Sequence, residues 1–313
     1  MDTLASGISY FDLLFQDRPR VIASAVLHSP AGVAIVDPGP SSTLATFRRE
    51  LAASGIGIGD VTSILLTHIH LDHAGATGTL VRENPRIRVH VHDLGAPHLA
   101  DPAKLIASAA RLYGEAMESL WGEVAPVPRE AITLLSGGER IDAGGRRLEV
   151  AYTPGHASHH VSYFSADSGV LFAGDVAGIK TKPNAFVLPP TPPPDIDLEQ
   201  WRSSLATLDA WRPETLFLTH FGPSSPSSPH LTELRDHLDL AARLVEQSLA
   251  REEDDATRAA WFAEQVRRAL QRMGDTDTRG YEVAASFELS WRGLARYLRK
   301  RERGEGGGKI SGS

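Results

Sequence analysis

The chain of 313 residues contains no cysteine. That excludes a disulfide framework and removes thiolate as a metal ligand, so any metal site has to be built from imidazole and carboxylate. Basic charge is also short: 32 Lys and Arg stand against 39 Asp and Glu, a formal net charge of −7. Nucleic-acid binders draw most of their affinity from neutralised phosphates, so no nucleic-acid partner is expected. Nothing approaches the roughly 20 apolar residues of a membrane span. The first residues lack the basic-then-apolar order of a secretory signal. The corresponding expectations are no membrane partner and a cytoplasmic location.

Hydrophobic residues at 42% and charged residues at 23% match an ordinary globular enzyme. The length suggests one large domain plus an extension. Short β-type runs open the chain: "ISYFDLLF", "RVIASAVLH" and "VAIVD". "STLATFRRELAAS" has helical spacing, with Ser41 or Ser42 as N-cap and Gly55 as its stop. "VTSILLT" reads as a buried strand, "HAGATGTLVREN" as a helix and "RIRVHVH" as an alternating strand. From about Pro102 to Trp121, Leu105, Ala109, Leu112, Ala116 and Leu120 recur at helical intervals. Three more strands follow, in "RRLEVAYT", "HVSYFSA" and "GVLFAGD". A proline-rich loop, "KPNAFVLPPTPPPDID", comes next and is either a rigid rim or a surface spacer. "LEQWRSSLATLDAW" is a helix and "TLFLT" a last strand.

Composition changes after His220. "GPSSPSSP" reads as a linker. Beyond it three amphipathic helices are marked by Leu231 to Leu249, by Trp261 or Phe262 to Met273, and by Phe287 to Leu298. The expected domains are therefore a catalytic unit over 1–225, a helical extension over 226–303 and a disordered tail over 304–313. The extension would cover the core, form a homodimer surface, or both. Its basic run, Arg296, Arg299, Lys300, Arg301 and Arg303, suits a solvated helix end.

Histidine is what the chain has in quantity, 13 in all, and its placement carries the chemistry. Four strand-like runs each lead to a candidate metal ligand: "SILLT" to His68, "LEVAYTPG" to His156, "VLFAG" to Asp175 and "TLFLT" to His220. Strands of one sheet layer end along one edge, so residues just past those ends converge. The densest piece is His68-Ile69-His70-Leu71-Asp72-His73. His68 and His70 are two apart and share a face in extended chain, while Asp72 and His73 sit where the chain turns into a helix. One loop then serves two cations about 3.5–4 Å apart. His156 completes the first set, His220 the second, and Asp175 has two oxygens to bridge them. His90 and His92 also form His-x-His, but no acidic ligand follows at once, and they read as surface or second-layer residues. His159 and His160 are candidates to hold a ligand through its second ring nitrogen. His28, His98, His230 and His237 read as structural or exposed. Gly155 and Gly174 suit tight turns beside the ligands.

In order and spacing, "THIHLDHAG", "TPGHASHH", "FAGD" and "LTHFG" resemble the metallo-β-lactamase superfamily, over about Ile8 to Gly222. The "TPGH" and "GD" contexts look most like its glyoxalase II branch. "APHLADPAKL" and "RLYGEAMESLWGEV" look like a group of archaeal and bacterial glyoxalase II-like hydrolases. The resemblance implies an α/β fold, an αββα four-layer sandwich with the site at one edge between two sheets, here with a helical C-terminal extension. It implies two divalent metal ions, zinc first with iron or manganese as alternatives, since His and Asp ligands suit all three. The reaction implied is attack by a metal-bridging hydroxide, oriented by Asp72 as catalytic residue, on an ester-type bond of a small-molecule substrate: a thioester, lactone or related acyl compound. A single-iron persulfide dioxygenase-like oxidoreductase and a small-molecule phosphodiesterase are the alternative readings. The chain departs from those β-lactamases that use a cysteine ligand. It also departs from glyoxalase II after Asp175, where the proline-rich loop replaces a basic substrate-binding pattern.

Overall fold

The computed structural model describes residues 1–183, 185–275 and 278–304. Except for Gly304, the expected disordered tail lies outside them.

The strands are β1 (Asp2–Ala5), β2 (Ile8–Asp12), β3 (Ala23–Ser29), β4 (Gly32–Val36), β5 (Val61–Leu65), β6 (Arg88–His92), β7 (Ile132–Leu135), β8 (Arg140–Ala143), β9 (Arg146–Tyr152), β10 (Val161–Ser165), β11 (Val170–Phe172), β12 (Thr215–Leu218) and β13 (Gly222–Ser224). The helices are α1 (Leu44–Ala53), α2 (Leu71–Ala74), α3 (Thr77–Glu83), α4 (Ala96–Ala100), α5 (Ala103–Tyr113), α6 (Met117–Trp121), α7 (Leu198–Ala210), α8 (Ser227–Leu249), α9 (Asp255–Arg272), α10 (Arg279–Ala284) and α11 (Phe287–Glu302).

Two sheets result, a seven-stranded one in the order β1 to β7 and a six-stranded one in the order β13-β12-β11-β10-β9-β8. Hairpins make the first four strands antiparallel. The helical crossovers from β4 to β7 make that half parallel, as such connections require. In the second sheet α7 plays the same part between the parallel β11 and β12.

The period-two alternation of the strands builds the layers. On β4, Val33 and Ile35 face one core, shared with α1 to α6 through residues such as Phe47 and Leu80. Ala34 and Val36 face a second core between the sheets, with Leu148, Tyr163, Phe172 and Phe217. On β12, Phe217 joins that central core while Leu216 and Leu218 turn to the third, which contains Trp201, Leu238, Phe262 and Trp291. Each such side chain, fully buried, is worth roughly 1.5–3 kcal/mol. The order helices, sheet, sheet, helices is the four-layer αββα sandwich, and α8 to α11 belong to its last layer.

Several local expectations are corrected. α1 starts later than its sequence suggests: Ser41 and Ser42 lie in a 3-10 turn with Thr43, which stands at the N-cap without capping through its side chain. "GPSSPSSP" is no linker. Gly222–Ser224 pairs with β12 as the edge strand β13, and α8 begins at Ser227, because backbone pairing outweighs the loop-like composition. Met273 is 53% exposed rather than core, since α9 ends at Arg272. Of the two readings of His90 and His92, surface or second-layer, burial rules out the first, and His92 stacks on Tyr152 at 4.4 Å between ring centres.

Candidate metal centre

The site lies where the carboxyl ends of β5, β9, β11 and β12 meet. One of these strands is in the seven-stranded sheet and three are in the six-stranded sheet, so the edge is shared by both layers rather than belonging to one. The layers are tied there. Thr67 O accepts from Val161 N at 2.8 Å, and Thr219 O accepts from Ala23 N at 2.8 Å.

All seven predicted ligands come together. His68, His70 and His156 present three ring nitrogens within 4.8 Å of one another, and Asp72, His73 and His220 form a second such group. His68 Nε2 and His156 Nε2 stand 2.9 and 3.0 Å from His70 Nδ1. Asp175 lies between the groups. Its Oδ2 is 3.3 Å from His156 Nε2, and its Oδ1 is 3.2 Å from His73 Nε2 and 3.5 Å from His220 Nε2. Asp72 Oδ2 is 3.4 Å from His220 Nε2. These approaches are close, yet His73 Nε2, His220 Nε2 and Asp175 Oδ1 are buried without a hydrogen bond among the described residues. Leaving such atoms unsatisfied is costly.

The opposite ring nitrogens of His68, His73, His156 and His220 are committed. His73 Nδ1 bonds Asp37 Oδ2 at 2.8 Å, His156 Nδ1 bonds Pro190 O at 2.9 Å and His220 Nδ1 bonds Val21 O at 2.6 Å. His68 Nδ1 meets Thr67 Oγ1 at 3.1 Å. An imidazole that donates from Nδ1 leaves the Nε2 lone pair free, which is the tautomer a metal ligand needs.

Charge follows the same division. Burial, reinforced by His73, His70 and His156, pushes the His68 pKa well below normal. Burial, with the imidazole of His156, brings His70 to about 4. Burial opposes a charge on Asp72, but His73 and His220 outweigh it and hold the carboxyl at about 2. The same contest, won by His73, His220 and His156, keeps Asp175 well below the carboxylate range. His73 is the reverse case: burial is outweighed by Asp175, Asp72 and Asp37, and its pKa lies well above normal.

Local geometry explains the neighbours. Gly174 has φ 53°, and a Cβ there would lie 2.6 Å from His160 Nε2 and 2.7 Å from Thr67. Gly155, at φ 134°, sits against Trp201 with no room for a Cβ. Trp201 in turn donates to Val176 O at 2.8 Å and fixes the turn that carries Asp175.

His159 and His160 do not hydrogen-bond any candidate ligand's second nitrogen among the described residues. His160 Nδ1 meets Thr153 Oγ1 at 2.9 Å and its ring stacks on His68, whereas His159 lines the cleft. Sequence reasoning missed Asp37, which follows β4. It accepts from Thr67 N at 2.8 Å, Thr67 Oγ1 at 2.7 Å and Thr219 Oγ1 at 3.0 Å as well as His73. Its signal was the one that found the candidate ligands, a chemistry-bearing side chain just past an apolar strand. The carbonyls of Pro190 and Val21 had no such signal, because every residue has one.

The centre opens into a cleft of about 570 Å³. Its walls are α5 and α6, the proline-rich loop at Pro190 and Pro192 to Pro194, and residues 282–286 with Leu289 and Ser290 of the C-terminal helices. The proline-rich loop is thus a rim of the site rather than a surface spacer. His98, expected to be structural or exposed, is half-buried in the same wall. The other three sort differently. His28 is exposed, His230 is buried between Ser224 and Ala177, and His237 stacks on Phe186. None of the C-terminal basic run lines the cleft; Arg299 holds Asp255 through two bonds and Arg301 pairs with Glu199 at 3.3 Å. Among the described residues no helix is long and apolar enough to cross a membrane.

Residues 17–220 match the family model described as "Metallo-beta-lactamase superfamily". Over 221 residues the chain is 29% identical to the "Metallo-beta-lactamase fold-containing protein ST1585" of Sulfurisphaera tokodaii, covering 69% of this chain and 79% of that one. It is 28% identical over 152 residues to a "Hydroxyacylglutathione hydrolase" of Synechococcus sp., covering 48% of this chain and only 46% of that protein. In structure it is similar to the metallo-beta-lactamase family protein TTHA1429 from Thermus thermophilus. The TM-score is 0.70 at 24% identity, covering 96% of this chain and 95% of that one, a likeness of fold.

Proposed function

The chain belongs to the metallo-beta-lactamase superfamily, and from that premise we propose that it is a binuclear metallo-hydrolase acting on an ester-type bond, a thioester, lactone or related acyl substrate. The observation that carries this reading is the set of buried, unpartnered ligand atoms. His73 Nε2, His220 Nε2 and Asp175 Oδ1 lack hydrogen bonds among the described residues, while the His68, His70 and His156 nitrogens have chiefly one another. Carboxylates and imidazoles crowded at this spacing suit cations, which bind by displacing any ring protons. The low pKa of His68, His70, Asp72 and Asp175 keeps them deprotonated, as ligands must be. At His73 and His220 burial is outweighed by Asp175 and Asp72, which raise the pKa, so an ion there binds by displacing their protons.

His68, His70 and His156 would hold one ion and Asp72, His73 and His220 the other, with Asp175 shared. Zinc is the first choice for these ligands, ahead of iron and manganese. When bound, such ions polarise a carbonyl oxygen and lower the pKa of water from 15.7 to about 7. The chain's own residues do the rest. Asp72 has 17% of its side chain exposed against 6% for Asp175, so it is the carboxylate placed to orient an entering water. Asp37, Pro190 and Val21 hold the rings in one tautomer. The apolar walls exclude bulk water, which strengthens every charge interaction inside.

The test is metal analysis beside a panel of thioesters, lactones and phosphodiesters. The expectation is about two ions per chain and turnover of acyl substrates, both lost in His68→Ala and Asp175→Ala. One iron per chain with oxygen uptake on a persulfide, or full turnover in either variant, overturns the reading.

A further inference from the structure

The lining of the cleft goes further than the reaction type. Leu105, Leu112 and Leu120 of the α5–α6 insert face Val283 and Leu289 of the C-terminal helices, with Trp121 buried at the base. Leu105, Leu120 and Val283 pack only partly against the core that contains Trp121, and Leu112 and Leu289 are likewise partly buried, so each leaves apolar surface lining the open space. Gly293 on α11 lies directly against the Thr191 and Pro192 backbone, and Thr191 Oγ1 donates to Ser290 O at 3.1 Å, so the proline loop and α11 form one rim.

The charges are equally particular. Among the described residues Lys104 is the one Lys or Arg in the lining, and it is exposed. Against it stand Asp72, Asp175, Asp195 and Glu282. Asp195 accepts from Ser158 Oγ at 2.6 Å and Glu282 from Arg267 Nε at 2.7 Å, so neither carboxylate is free to be repurposed. Asp72 and Asp175 are the carboxylates assigned to the ions and Glu282 is paired with Arg267, so away from the metal centre the cleft wall offers a substrate little charge of either sign. An uncharged apolar chain would displace poorly held water at about 25 cal/mol per Å².

Resting on the hydrolase reading above, we propose that the substrate is an acyl compound with an apolar, medium-length acyl chain and a small leaving group, the chain lying along the wall made by α5, α6, Val283 and Leu289. At about a water molecule's 30 Å³ per group, the cleft takes on the order of ten to twenty non-hydrogen atoms. That suits a chain of roughly six to ten carbons with its carboxyl and leaving group. In the reaction the bond from acyl carbon to leaving atom breaks and a bond from that carbon to a water oxygen forms. The product is a carboxylate, and of the water's two protons one goes to the leaving group and one to solvent.

The experiment uses the full chain loaded with zinc and the p-nitrophenyl esters of acetate, butyrate, hexanoate, octanoate and decanoate, alongside displacement of a dansylated fatty acid. Each buried methylene is worth up to roughly fourfold in kcat/KM, so octanoate should exceed acetate by at least about tenfold. The dansylated probe should bind and be displaced by decanoate. Leu112→Gln should cut both the octanoate-to-acetate ratio and probe affinity. Leu289→Gln, on a separate helix, provides the same test if the first variant fails to fold. Hydrolysis that is flat or falling with chain length, or no probe binding, overturns the proposal while leaving the hydrolase reading intact. Probe binding lost in both variants, with no ester cleaved, supports the apolar occupant and sinks the hydrolase reading instead.

Discussion

Asp37 Oδ2 lies 2.8 Å from His73 Nδ1, and both side chains are fully buried. The same carboxylate takes three further hydrogen bonds from Thr67 and Thr219, and so joins the loops after β4, β5 and β12 at one point. Asp37→Asn would turn an amide N–H₂ toward groups that are themselves donors. The expected result is a 10- to 100-fold loss of zinc affinity, roughly as for other partners of metal-binding histidines. A stability loss on the order of 3 kcal/mol should accompany it. Chelator-buffered zinc titration and thermal unfolding measure the two effects. Unchanged zinc affinity would remove Asp37 from the account.

A longer connection reaches His156. Its Nδ1 is held by Pro190 O, and the adjoining Thr191 and Pro192 rest on α11 at Gly293. Adding a methyl group at Gly293 has no space to use. Gly293→Ala is therefore expected to cost about 1–3 kcal/mol and to lower zinc affinity as well, although position 293 touches no ligand. If melting falls but zinc affinity stays at the parent value, the strut is structural only.

His230 provides a pH-dependence away from the metal ligands. Burial, with a lesser push from the positive charge of Lys180, brings its pKa down to about 4. Its ring spans Ser224 Oγ at 3.0 Å and Ala177 O at 2.7 Å, pinning α8 to the second sheet. The folded pKa lies below the unfolded value of 6.5, so protons favour the unfolded chain. The contribution is full above pH 6.5 and disappears as pH falls through about 4, a span worth about 3 kcal/mol. Unfolding free energies measured across that window should decline less steeply in His230→Gln. Parallel curves for the two proteins would show that His230 is not the titrating group.

Removing metal should destabilise the protein. An ion present at 100 times its Kd stabilises by about 2.7 kcal/mol. At roughly 2–4 °C per kcal/mol for a chain of this size, chelation should lower Tm by about 5–10 °C. The metal-free protein should then lose further stability as pH falls from 6.5 through about 4, since His70 must charge in a buried site. A melting temperature indifferent to chelator would contradict the metal centre.

The candidate centre was unusually legible because its residues follow strands. Once "SILLT", "VLFAG" and "TLFLT" are read as buried strands, His68, Asp175 and His220 fall at their ends, and strand ends meet at sheet edges. The C-terminal helices α8, α9 and α11 were legible for a similar reason: apolar spacing reports burial whatever the partner. Composition misled where pairing decided the outcome. The serines and prolines of 222–229 look like linker, but Gly222–Ser224 found a free strand edge beside β12.

From residue order alone came the candidate ligand set, the strand-like runs that lead to it and the amphipathic C-terminal helices, since each depends on neighbours within a few positions. Tertiary structure alone decided that the site edge belongs to both sheets, that Asp37 and two backbone carbonyls hold the rings, and that the insert helices and α11 stand apart to leave an apolar cleft. These are distances between groups far apart in sequence. Periodicity says which face of an element is buried, but only packing says what that face meets and how much space is left between.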